Sequence, residues 1–173
     1  AGSSSWQKRL VYRKFANGSW QTPLVLDEKT YSSGFGGEFQ DIQGEKNNNE
    51  LHLVYRYYEY DNYDTAEIFY AHVYADGSFH NQQISHDTTS STQPDLAVSR
   101  DGGTIHITWK EGFSYVQGGG KNVLYYRQGN GFQTWTDPVA LTSYAIDAPL
   151  IELNNNQPII VFLSEQYYFI SKN

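Results

Sequence analysis

The 173 residues contain no cysteine, which removes disulfides, thiolate nucleophiles and Cys-based metal sites together. Methionine is absent as well, including at position 1. Charge is sparse: Asp, Glu, Lys and Arg make up 18 % of the chain, and 12 Lys and Arg face 19 Asp and Glu for a net charge of −7. A phosphate-binding surface needs clustered cations, so this balance argues against a nucleic-acid partner. No run of 18 apolar residues occurs, so no membrane span is expected. Ala1-Gly2-Ser3-Ser4-Ser5 carries neither the charged region nor the apolar stretch of a signal peptide, which suggests a processed chain or a fragment. No 12-residue stretch joins 3.6-residue periodicity to helix caps, so an all-β chain is expected.

Aromatic residues are plentiful: 16 %, with 15 Tyr and 4 Trp. Such side chains suit the half-buried, pleated surface of a strand. The length fits one domain, residues 1–173, with a substantial core. Low charge combined with many Asn, Tyr, Ser and Gly leads us to expect a secreted, cell-surface or periplasmic location.

The chain repeats itself. Leu51-His52-Leu53-Val54-Tyr55, Ile105-His106-Ile107-Thr108-Trp109 and Ile159-Ile160-Val161-Phe162-Leu163 stand 54 residues apart, twice. Each follows a turn, Asn47-Asn48-Asn49, Asp101-Gly102-Gly103 or Asn154-Asn155-Asn156, and each turn follows another short apolar run. This pattern predicts three hairpins. A second family interleaves: "RLVYRKF-ANG-SWQTPLVL" (9–26), "EIFYAHVY-ADG-SFHNQQI" (67–84) and "VLYYRQ-GNG-FQTWTDPVAL" (123–141). Asn17, Asp76 and Asn130 correspond at its apices, where Asn and Asp tolerate positive φ and the following Gly takes it freely.

With the strands lettered A to D, their order is C, D, then A, B, C, D twice, then A, B. Four antiparallel strands repeating at about 50 residues are the signature of propeller blades. The expected blades cover 38–90, 91–145, and 146–173 joined with 1–32. Three blades fall short of the roughly four to eight that close a ring, so a homo-oligomer or a second propeller-forming chain is expected. An exposed edge strand would invite such pairing.

The cadence "QPDLAVSRDGGTIHITW … NVLYYRQGNGFQTWTDPVAL" resembles the sialidase-like, BNR/Asp-box class of propeller repeats. That family's C–D turn carries Ser-x-Asp-x-Gly-x-Thr-Trp, often followed by x-x-Pro. This chain has Thr134-Trp135-Thr136-Asp137-Pro138 and Trp20-Gln21-Thr22-Pro23, lacks the Ser and Asp of the full box, and has Phe79 in the middle repeat. The family's sialidases hold a carboxylate with an arginine cluster and use Tyr, Glu and Asp in catalysis. No such set can be carried onto this chain, whose five arginines include Arg13 and Arg127 at equivalent strand ends. A fragment of a glycoside hydrolase is the enzymatic alternative.

Trp20 and Trp135 are expected to pack between blades or under their turns, because repeat-placed aromatics seal repeats together. Function is expected on the long B–C connections, 56–67 and 110–122, and on the two chain ends, which are rich in Tyr or Trp, Glu, and Lys or Arg. Aromatic faces with charged and amide groups suit carbohydrate, in the manner of small lectins; a protein partner is the competing choice. Tyr55, Arg56, Trp109, Glu111, Tyr126 and Arg127 are the candidate contacts, at strand ends near those loops. His52 and His106 share a repeat position with Ile160, which favours packed strand residues over metal ligands or a catalytic base. No cofactor is implied. The acidic segment Glu59–Asp64 offers oxygen ligands for calcium but lacks EF-hand spacing. Gly118-Gly119-Gly120 does not lead a strand into a helix and is no phosphate loop.

Overall fold

In a computed structural model, residues 5–31, 36–59, 62–86, 89–113, 122–131, 134–142 and 149–163 are described, with backbone alone at 62–65 and 113. They form strands and turns, with no helix among the described residues. Two complete four-stranded antiparallel meanders dominate. The first joins β5 (Gly37–Asn47), β6 (Glu50–Glu59), β7 (Asn62–Val73) and β8 (Phe79–Gln83) in that order. The second joins β9 (Ser90–Val98), β10 (Ile105–Phe113), β11 (Val123–Gly129) and β12 (Val139–Thr142). Before them, β1 (Trp6–Tyr12) pairs with β4 (Leu24–Tyr31), and β2 (Phe15–Ala16) with β3 (Ser19–Trp20) extends the same hairpin. After them, β13 (Leu150–Asn154) pairs with β14 (Gln157–Val161). Among the described residues, no strand pairing joins β13–β14 to β1–β4.

The period-2 pattern of β6 explains the layering. Leu53 and Tyr55 lie on one face, and His52 and Val54 on the other. Tyr55, with Ala71 and Val73, packs on Leu10 and Leu26 of β1 and β4. Val54, with Ile68 and Tyr70, packs on Leu96, Val98, Ile107 and Trp109 of the second sheet. The 54-residue offset therefore reproduces itself in space: Tyr55 and Trp109 each point to the preceding unit, and His52 and His106 to the following one.

The turns obey the sequence with one correction. Asn17 (φ 53°), Asn48 (φ 54°) and Asn155 (φ 51°) take the left-handed conformation, as do Gly18, Gly77, Gly102 and Gly131. Asp76 and Asn130 do not. Their side chains accept bonds instead: Asp76 Oδ1 from Ser78 N at 2.8 Å, and Asn130 Oδ1 from Thr134 N at 3.1 Å. Among the described residues of these two turns, the glycine alone adopts positive φ.

A device absent from the sequence reading links the units. β9 touches β5 on one side and β13 on the other, yet no backbone ladder joins them. Carboxylates supply the missing acceptors. Val98 N donates to Glu45 Oε2 (2.6 Å), Gln93 N to Asp41 Oδ2 (3.3 Å), and Ile151 N to Asp95 Oδ2 (2.9 Å). Asp41 and Asp95 stand one repeat apart. Burial raises the pKa of Glu45 and Asp95, and the amide donors oppose it.

Candidate functional site

The six residues expected to contact ligand are not brought together, and three are enclosed. Tyr55 is 0 % exposed; its hydroxyl donates to Asp27 Oδ2 (3.0 Å) and accepts from Asn81 Nδ2 (2.7 Å). Burial, reinforced by Asp27, pushes its phenol pKa up. Trp109 is 1 % exposed and stacks on Tyr125, with ring centroids 5.7 Å apart. Its indole Nε1 donates to Glu111 Oε2 at 3.0 Å. Glu111 is itself buried and also accepts from Thr89 (2.7 Å) and Ser91 (2.6 Å). Period-2 alternation turns Tyr55 and Trp109 into the stack between sheets, Glu111 is bonded within its own sheet, and none of the three offers a surface contact.

The other three are half-buried and engaged within the chain. Arg56 pairs with Asp41 at 3.2 Å, bonds Gln40, and lies 5.4 Å from the Tyr58 ring centre. The Tyr126 hydroxyl meets His106 Nδ1 at 2.8 Å and donates to Gln128 Oε1 at 2.9 Å. Arg127 donates to the Thr136 carbonyl (2.6 Å) and to the Ile84 carbonyl of the preceding unit (2.7 Å), and lies over Trp135. Arg13 repeats the corner, with Nε on the Gln21 carbonyl at 3.0 Å and its guanidinium over Trp20. The Trp-x-x-Pro corner is thus an arginine clamp. The arginine binds the carbonyl after the tryptophan, and the proline stands just before β4 or β12.

Trp135 fulfils its expected sealing role. It lies over Gly129, where a Cβ would fall 2.5 Å from the indole, and meets Tyr70 of the first sheet edge-on at 5.4 Å. Trp20 differs. It is 60 % exposed, touching Phe15 at a 5.4 Å centroid distance, because nothing among the described residues stacks on the outer face of β1–β4. Most of the second B–C loop (114–121), Tyr60 and Asp61 of the first, the side chains of 62–65, and residues 1–4 and 164–173 lie outside the described residues. The calcium expectation at 59–64 and the glycine run at 118–120 fall with them.

A cleft that sequence reading did not anticipate lies at the other end of the strands. About 460 Å³ opens between the β1–β4 hairpin and the first sheet, its lining including Tyr12, Asn17, Gln21, Asn49, Tyr74 and Asp76. It needs the Asn17 corner, the Asn49 turn and the Asp76 corner to converge, and only stacking brings them together. Ser78 holds Asp76 charged, lowering its pKa through side-chain and backbone hydrogen bonds.

A second grouping lies on the face of β6 and β7 turned to the second sheet. His52 and His72 are directly opposite in register, their rings stacked at 4.2 Å, and His72 Nε2 meets Glu50 Oε2 at 2.8 Å. His52 Nδ1 meets the Tyr70 hydroxyl at 2.6 Å. Burial, aided by His72 and opposed by Glu50, lowers the His52 pKa to about 4, so the ring is neutral at neutral pH. The packed-strand expectation for His52 agrees with its burial. The 54-residue repeat could not announce His72 and Glu50, since the next sheet has Gln128 and Thr104 in their places.

Compared with protein-family models, with curated proteins and with solved structures, the chain matches none.

Proposed function

We propose that the chain is a non-catalytic binding module built of β-propeller blades, and that it recognises carbohydrate. The observation that carries this reading is the cleft between β1–β4 and the first sheet. Tyr12 and Tyr74 bring aromatic rings to its wall, beside the amides of Asn17, Gln21 and Asn49 and the carboxylate of Asp76. Apolar ring faces suit the C–H faces of a sugar, and a few convergent amide and carboxylate groups suit its hydroxyls. The test is a glycan array probed with the whole chain, followed by titration of any retained glycan. A sugar that binds wild type should bind Asn49→Ala and Tyr12→Ala at least about tenfold more weakly, a loss of about 1.4 kcal/mol. An array blank at high protein concentration counts against the reading, as does binding indifferent to both substitutions.

A second reading, an interaction half-propeller, is favoured by two unpaired edges. Among the described residues, β14 pairs only with β13, and β1 only with β4. Joining them in the order β13-β14-β1-β4 would reproduce the order β5-β6-β7-β8. Ile159, Val161 and Leu163 on one side and Trp6 and Val11 on the other are exposed apolar residues that such a union would cover. The two readings are compatible, since a sugar cleft and an assembly edge occupy different parts of the stack.

A further inference from the structure

We propose that Glu50, His52 and His72 bind one divalent first-row transition-metal ion, of which zinc is the natural probe. The placement follows from strand geometry. Residues opposite each other in an antiparallel pair point to the same face, and so do residues two apart on one strand. His52 and His72 are such an opposite pair, and Glu50 precedes His52 by two. Their ligand atoms all lie within 4.8 Å of one another. Tetrahedral zinc, with bonds of about 2.0–2.1 Å, holds its donors about 3.3–3.5 Å apart. Modest side-chain rotation closes the wider gaps, and the His72–Glu50 contact lengthens as the metal replaces their shared proton.

The surroundings suit a ligand set. His52 is 0 % exposed, and its Nε2 has no hydrogen-bond partner. A metal on Nε2 requires the proton on Nδ1, where the Tyr70 hydroxyl stands ready to accept it and fix the ring. The contacts in the second sheet fit that tautomer. There the Tyr126 hydroxyl spends its only proton on Gln128, so it accepts from His106 Nδ1. His106 Nε2 is likewise buried without a partner. The His–Tyr pair is therefore a feature of both repeats, and what the first sheet alone adds is a second imidazole and a carboxylate. Glu50 is half-exposed and His72 nearly covered, which gives an ion a path from solvent along the Glu50 carboxylate. Two imidazoles with one carboxylate favour zinc, copper or nickel over calcium and magnesium, which prefer all-oxygen shells.

The test titrates zinc chloride alone into the chelator-stripped full chain by calorimetry, and repeats it with cobalt to read visible absorption. We expect saturable binding of one ion per chain, with the cobalt bands of a low-coordinate nitrogen and oxygen site. Affinity should fall at least about tenfold in both Glu50→Gln and His72→Gln, and should hold in His106→Gln. His80, opposite His72 on β8, is the competing partner; His80→Gln should also leave affinity unchanged. Should His72→Gln fail to fold by circular dichroism, Glu50→Gln decides alone. The proposal is overturned if zinc shows no saturable binding, if binding survives the loss of Glu50, or if His80→Gln abolishes it.

Discussion

Trp109 and Trp20 present the same indole to opposite surroundings, one enclosed between sheets and bonded to Glu111, the other mostly in solvent. Trp109→Ala should cost about 3–5 kcal/mol, because it empties a filled site and removes one donor from a buried carboxylate. Trp20→Ala should cost under about 1 kcal/mol. Urea unfolding of both variants checks this, and equal losses would contradict the packing described. Protonation acts at the same scale. Burial holds His106 below its ordinary value of 6.5, so between the two values the unfolded chain binds more protons than the folded one. Stability is then full above about pH 6.5 and declines as pH falls through that window. Glu45 and Asp95, raised by burial, have the opposite sign and favour the fold at the acidic end. His52, held lower still at about 4, acts in the same sense as His106, so the urea midpoint should drop from about pH 7 to about pH 5, and His106→Gln should reduce that slope without abolishing it. An unchanged slope would show that His106 titrates alike in both states.

At the scale of elements, adjacent sheets meet through side-chain acceptors. Asp95→Ala leaves the Ile151 amide without its carboxylate, which should cost about 1–3 kcal/mol. The loss should be local. Hydrogen exchange should quicken across β13 while β6 and β7 keep their protection, and uniform quickening would mean that the units unfold together. This contact was hidden in the sequence, where Asp95 reads as one acid in an alternating strand. The hairpins were legible, since apolar alternation on both sides of Asn-Gly or Asp-Gly depends only on neighbours in the chain. The arginine clamps were half legible: Arg13 and Arg127 stood out as equivalent, but their grip on the carbonyl after each tryptophan required the folded corner.

At the scale of the whole molecule, assembly turns on the apolar strands at the two ends of the stack. Ile159 and Val161 are 50 % and 60 % exposed on a strand with one edge unpaired among the described residues. If a second copy supplies β1 and β4 to that edge, light scattering should report a species at twice 19.8 kDa. Val161→Asp should return it to the monomer without changing its circular dichroism. A wild-type chain that stays monomeric at high concentration would exclude self-assembly. Sequence by itself determined the all-β class, the strand order and the 54-residue rhythm, because alternation and turn chemistry are properties of short segments. Tertiary structure alone decided which aromatic residues are walls and which are surface. It enclosed Tyr55 and Trp109, left Trp20 outside, opened the cleft beside Tyr12, and set His72 against His52. The physical reason is that burial and ligand geometry depend on which faces meet, and residues far apart in the chain meet only when the sheets stack.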